Sequence, residues 1–487
     1  MAAFATGAVA AVACAVLSLR SRTINQPALA VVLLALGLGV ALLSWRLSTY
    51  LLLVYLPYGG LAILASYPRT QLADIAKDLA FVVPAYIGFV LNEPRKRWLF
   101  PGLPLIPIAA LSAIVLVECF NPVLPNFLVA LIGLKIWLFY LPLLVIGFWL
   151  VQGTDELQRL LAILLAAAAI PIFVGLVEAV LVDVLGKHQA VYDLYGAASA
   201  AATQNFAHFH YGSRDIWRIP STFSFVAQYF SFTAAMTVVA YAWWRISGHA
   251  RLGLVPVFVL VLASLTSGER GALIMLPLLI VLMVALDGRV RLIATLGAVV
   301  AVMLAAALVL LGSGTELIRT VFGIGLGELH DTVVIGFVQT LQLGLFGHGT
   351  GTATGASRFA FSGTQPLYFG GGFTLATYLL ESWWLRTIYE LGLPGFAAAI
   401  ALFAVLVARG WRTVRSIRDT EIRAVAAAIL AFLLWNLIYD LKGSLMNLDP
   451  INVYFWLLAG VMLRLGVDFA RKGSQQVVES SAPRAAA

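Results

Sequence analysis

Three short segments hold most of the residues able to do chemistry. The first is DIWRIPSTFSFVAQY, Asp215 to Tyr229, where Arg218 precedes Pro220 and the Ser221–Thr222 pair at the mouth of an apolar run. The second is SLTSGERGA, Ser264 to Ala272, which sets Glu269 and Arg270 between two apolar runs with little loop to solvate them. The third is TYLLESWWLRTIYELGLPG, Thr377 to Gly395, in which Glu381, Arg386 and Glu390 punctuate an amphipathic helix. Arginine grips phosphate oxygens bidentately and stabilises leaving-group charge without a metal. A partly desolvated carboxylate such as Glu381 suits a general base for a weak hydroxyl nucleophile. Simpler readings stay open beside these: Trp217 and Arg218 as an interfacial anchor, and Glu269–Arg270 as a structural pair. Glu381 and Arg386 are five apart and share one helix face poorly, so only one of them need point into a cavity.

Other residues form a second tier. The glycine-rich stretch LFGHGTGTATGASRF, Leu345 to Phe359, lacks the Gly-Lys-Ser/Thr ending of a P-loop. It reads as a turn-rich loop or lid, with His348 and Arg358 as candidates for sugar or phosphate contact. Lys135 falls inside the sixth apolar run, and Lys77 lies with Asp74 and Asp78 near the start of the fourth. They either pair and snorkel or share in binding a lipid phosphate. His208 and His210 form a His-x-His pair without the further ligands that a metal needs, so neither metal nor cofactor is expected. Cys14 and Cys119 read as small buried hydrophobes.

These residues must be positioned by membrane helices. Of 487 residues, 61% are hydrophobic and 11% charged, and the mean hydropathy is +0.95. Soluble domains carry about a quarter charged residues, so the numbers exclude a soluble enzyme, a disordered chain and a disulfide scaffold. Long unbroken apolar runs also exclude a transmembrane barrel. The expected fold is an all-α polytopic bundle of about 12–14 spans. Its windows lie near 2–19, 28–44, 47–66, 72–91, 103–119, 125–151, 159–185, 223–246, 252–267, 271–286, 290–312, 393–409, 423–442 and 450–466. Residues 1–472 form one integral membrane domain, and 473–487 a disordered cytoplasmic tail. Loops after even-numbered spans, with the tail, carry eighteen Lys and Arg, against five in the short loops after odd-numbered ones. The positive-inside rule then places both termini in the cytoplasm and the two long loops, about 186–222 and 313–392, on the outer face. The same bias accounts for the net charge of +8 without nucleic acid.

In this order and placement, RIPSTF, the SGERGA step and the E-S-x-x-L-x-x-x-x-E-L-G-L-P-G helix resemble the O-antigen ligase and O-antigen polymerase superfamily of bacterial envelope glycosyltransferases. GLKIWLFYLPLL, Gly133 to Leu144, resembles a segment of exopolysaccharide-associated members. The resemblance covers most of the chain from about residue 72 onward. It implies a bacterial inner-membrane enzyme acting on undecaprenyl-pyrophosphate-linked glycans at the outer face, with Arg218 and Arg270 at the pyrophosphate. Where the family usually has a His-Asn-type pair, this sequence has Glu381–Ser382, which argues against a typical lipopolysaccharide ligase. The expected activity is glycan polymerisation onto an acceptor glycan. A ligase acting on lipid A core is the alternative, and a polysaccharide or lipid-linked sugar transporter or flippase is the rival from another class.

Overall fold

The computed structural model describes residues 26–66, 70–187, 189, 208–211, 214–248, 252–269, 271–288, 325–355, 379 and 381–481. Within them the chain is a helical bundle with one small hairpin. In order the helices are α1 (Gln26–Leu43), α2 (Trp45–Ser66), α3 (71–92), α4 (Leu105–Glu118), α5 (Phe127–Leu150) and α6 (Thr154–Val184). Then come α7 (Val226–Ile246), α8 (Val255–Leu265), α9 (Ala272–Asp287), α10 (325–342), α11 (Trp383–Ser416), α12 (Thr420–Tyr439) and α13 (Ile451–Ser481). Strands β1 (His208–Tyr211) and β2 (Arg214–Trp217) pair antiparallel, with His208 opposite Trp217, just ahead of Arg218.

Among the described residues six helices are long and apolar enough to cross a membrane: α2, α5, α6, α11, α12 and the first part of α13. Four shorter apolar helices lie at Leu29–Leu43, Leu105–Glu118, Val255–Leu265 and Ala272–Asp287. The windows at 2–19 and 290–312 lie outside the described residues. Local chemistry sets the breaks. Ser44 splits α1 from α2 by capping α2, its Oγ accepting the Leu47 N–H at 3.2 Å. Between α8 and α9, Gly268 turns the chain at φ +71°, where a Cβ would overlap the Trp217 carbonyl. Two segments differ from the sequence expectation. Apolar i, i+3 and i+4 spacing makes a helix, α10, inside the expected loop at 313–392, and α13 continues through Ser481 into the segment read as a tail.

About 72% and 78% of the apolar windows of α12 and α13 are buried, against 44% in α6 and α11, so the former pair is central. Buried α7 packs between α6, α8 and α12, while α13 lies along α5 and α11 along α4. At the α5–α13 contact a Cβ on Gly147 would overlap the Leu457 carbonyl, and one on Gly460 the Leu144 carbonyl. Small residues here let the two backbones touch, as membrane helices require where lipid removes the hydrophobic drive between them. Outward-facing Ile106, Phe173 and Val184, all more than two-thirds exposed, form apolar surface of the kind that lipid covers.

The helix ends meet in two sets. At one end Arg46 bonds Glu156 at 3.2 Å, Trp149 Nε1 donates to the Arg97 carbonyl, and Gln158 donates to the Ile246 carbonyl. Arg245 there pairs with Asp287 and donates to the Thr420 carbonyl, while Arg464 stacks over Trp149. These are the ends of the even-numbered windows, so the basic residues separated in sequence converge on one face of the bundle. The opposite end gathers the three motifs.

Candidate functional site at the motif-bearing end

The first two motifs are joined through their backbones. Ile219 N–H donates to the Ser267 carbonyl at 2.9 Å, which brings Arg218 Nη1 to 3.6 Å from Glu269 Oε2. Arg270, the next residue, lies outside the described residues, as does Arg358. The segment after Arg218 is held on three sides. Ser221 N–H donates to Glu178 Oε2 at 2.8 Å, Ser221 Oγ to the Pro171 carbonyl and Thr222 Oγ1 to the Pro57 carbonyl, both at 2.5 Å. Ser221 takes φ +53°, a strained conformation for a residue with a Cβ, which persists because these bonds over-determine it.

The third motif closes on the same end. Ser382 caps α11, its Oγ accepting the Leu385 N–H at 3.3 Å, and exposed Glu381 stands just ahead of the cap. The described residues therefore do not supply the desolvation that the sequence suggested for Glu381. Trp383 N–H reaches the Asp440 and Gly443 carbonyls, tying α11 to the end of α12. Here Tyr439 is decisive. Glu269, Arg218 and Glu381 lie within electrostatic range of it, and its hydroxyl lies 3.5 Å from where a Gly271 Cβ would stand. Asp440, one residue past α12, accepts the Leu445 and Met446 N–H groups; burial pushes its carboxyl up to about 8.

Arg386 and Glu390 point inward instead. Arg386 is buried, donates Nε–H to the Leu379 carbonyl, and its charge reaches Glu390 and Asp440. Fully buried Glu390 accepts from Trp137 Nε1 at 2.7 Å, Gly351 N–H and Ala353 N–H at 2.9 Å, and Thr354 Oγ1 at 3.0 Å. The glycine-rich loop thus wraps a carboxylate. Asn121 holds the loop from the other side by donating to the Gly347 carbonyl. Within it His348 stacks on Tyr389 at 4.5 Å, and its Nδ1 lies 3.3 Å from the Tyr389 carbonyl oxygen.

Lys77 and Lys135 meet in a separate cluster. Lys77 Nζ lies 3.1 Å from Asp78 Oδ1, 3.1 Å from Asp449 Oδ2 and 2.6 Å from the Tyr140 hydroxyl. Lys135 Nζ is 2.6 Å from Asp78 Oδ2 and remains one-third exposed. Both lysines sit at π-helical segments, Asp78–Val82 and Lys135–Phe139, the kind of local distortion often found at functional sites. Among the described residues no group of three or more His, Cys, Asp or Glu could hold a metal ion.

Sequence reasoning missed Tyr439, Asp440, Asp449, Tyr140 and Trp137. Only Asp440 and Asp449 carried a signal, as carboxylates flanking a short loop between apolar runs; the aromatic residues look like any others in a membrane helix. No protein-family model matches the chain, and the curated proteins hold no significant match to it.

Proposed function

We propose that this chain is a glycan polymerase of the bacterial inner membrane, with both termini cytoplasmic, transferring undecaprenyl-pyrophosphate-linked saccharides onto an acceptor glycan at the outer face. The observation that carries the reading is the convergence of Arg218, Glu269 and Glu381 around Tyr439 at the end of the bundle away from the basic loops. An outer site has no ATP, so a pre-activated lipid pyrophosphate fits it. In the proposed reaction Arg218 and Arg270 hold the pyrophosphate. Glu381 takes the proton of the acceptor hydroxyl as that oxygen bonds to the anomeric carbon. The bond from that carbon to the pyrophosphate oxygen breaks, lipid pyrophosphate leaves, and the centre inverts. Arg386, His348 and Arg358 are assigned to substrate contact or support, Arg386 acting through Glu390 and Asp440.

The test is the purified protein with undecaprenyl-pyrophosphate oligosaccharide as the only substrate. A ladder of lengthened chains supports polymerase, and transfer to lipid A core in its place supports ligase. Absence of both products sinks the enzyme reading. The transporter reading has one observation in its favour, the ion-pair cluster of Lys77, Asp78, Lys135 and Asp449 on distorted helices. Uptake or flipping of the same lipid by reconstituted vesicles, without elongation, would establish it.

A further inference from the structure

A small cavity of about 20 Å³ opens beside the lysine cluster, between α2, α3, the start of α7 and the loop before α13. That is room for about one water molecule or one hydroxyl group. It is lined by Tyr55, Asp74, Lys77, Phe223, Gln228 and Asp449, with Gly59 and Gly60 among the rest.

Charge decides what can sit there. Lys77 and Lys135 face Asp74, Asp78 and Asp449, and Lys77 is already engaged by two carboxylates and Tyr140. Two cations against three carboxylates leave a formal net charge of −1, which repels a phosphate. Hydrogen bonding then narrows the class. Asp449 Oδ1 is buried with no partner among the described residues, an acceptor that a ligand donor would satisfy. Gln228 is oriented, because its Oε1 accepts from Ser224 Oγ and Phe225 N–H, both at 3.1 Å. Its Nε2 is left as a donor on a residue that lines the same cavity as Asp449. A donor and an acceptor lining one cavity, with the aromatic residues Tyr55 and Phe223, match a group that both gives and takes a hydrogen bond. A neutral sugar hydroxyl does so, and the excess of carboxylates over lysines disfavours an anion in its place.

We infer that this cavity is a saccharide subsite, in which Gln228 and Asp449 hold a hydroxyl of a neutral sugar residue and Lys77 positions Asp449. The inference rests on the glycan-transfer reading and assigns the lysine cluster to sugar recognition instead of phosphate binding. Phe223 is five residues from Arg218, so the subsite and the arginine are at most about 17 Å apart along the chain. A short oligosaccharide held at its pyrophosphate by Arg218 reaches that far.

The experiment is saturation-transfer NMR on the full-length protein in detergent, with glucose, N-acetylglucosamine and glucuronate as probes. Gln228→Glu keeps the capping oxygen and replaces the donor; Asp449→Asn keeps the shape and halves the acceptor strength. Wild-type protein is expected to show transfer to the neutral sugars above glucuronate. Each variant is expected to weaken neutral-sugar binding about tenfold, the scale of one hydrogen bond, at wild-type helicity and monodispersity. Equal binding by wild type and both variants, or preference for glucuronate, overturns the subsite. Ladder formation with an unchanged acceptor KM in Gln228→Glu sinks the subsite and leaves the enzyme reading standing. Sugar binding without any ladder does the reverse.

Discussion

At the scale of single residues, the charged groups divide into those facing the mouth and those locked inside. Arg218 and Glu381 belong to the first kind, and their loss should act on chemistry more than on folding. Arg218→Ala and Glu381→Gln are each expected to slow ladder formation by about 10²-fold or more, the usual worth of a charge stabiliser or general base. Unchanged thermal unfolding in detergent would accompany that loss; wild-type rates from both variants would remove the two residues from the mechanism. Glu390 is of the second kind. Glu390→Ala strips the acceptor from Trp137, Gly351, Ala353 and Thr354 and leaves the nearby Arg386 charge uncompensated. A cost of about 3–5 kcal/mol is expected, read as a lowered Tm and faster proteolysis within 345–355, with Glu390→Gln in between. Asp440 adds a pH dependence. Its carboxyl keeps its proton to about 8 in the folded protein but ionises near 3.8 when unfolded. Between those values the unfolded chain sheds a proton that the folded one retains, so this contribution to stability falls as pH rises through the window. Asp440→Asn should flatten the fall in Tm between about pH 4 and pH 8.

At the scale of elements, close backbone approach and helix distortion do the positioning. The Gly147–Gly460 contact brings α5 against α13, which fixes Trp137 and Lys135 on one and the Asp449 loop at the start of the other. Gly147→Val should separate the pair at a cost of about 1–3 kcal/mol, typical of overpacking, and lower Tm. An unchanged Tm would mean the two helices are not held by this contact. The kink at Gly392, φ +68° and ψ −177°, divides α11 into a short buried helix bearing Arg386 and Glu390 and a longer apolar one. Residues 345–348 pair against this kink, Leu393 N–H donating to the Leu345 carbonyl and His348 N–H to the Tyr389 carbonyl. The sequence showed a helix and a glycine-rich loop; the kink is where they join.

For the whole molecule, the separation of helix ends into a basic set and a motif-bearing set makes orientation testable. In a Cys14→Ser, Cys119→Ala background, a membrane-impermeant thiol reagent added outside intact cells should label Lys442→Cys and spare Arg412→Cys. The reverse pattern would invert the protein and remove the outer-face site. Both outcomes are read from one gel, and neither depends on the substrate.

The sequence by itself determined the membrane class, the short polar breaks between the windows 28–44 and 47–66 and between 252–267 and 271–286, and the split of basic from motif-bearing loops. All three are written locally, in hydropathy and charge counts along a few tens of residues. It also showed Arg218, Arg270, Glu381 and Arg386 as conspicuous charges in an apolar chain. Which of them meet was decided only by tertiary structure. Trp137 and Glu390 are 253 positions apart and join through one hydrogen bond. Lys77 finds Asp449 across most of the chain. Tyr439, an ordinary aromatic in its helix, stands where three motifs converge. Such pairings depend on how the helices pack side by side, and apolar helix faces built from interchangeable Leu, Val, Ala and Phe do not encode their neighbours in any short stretch of sequence.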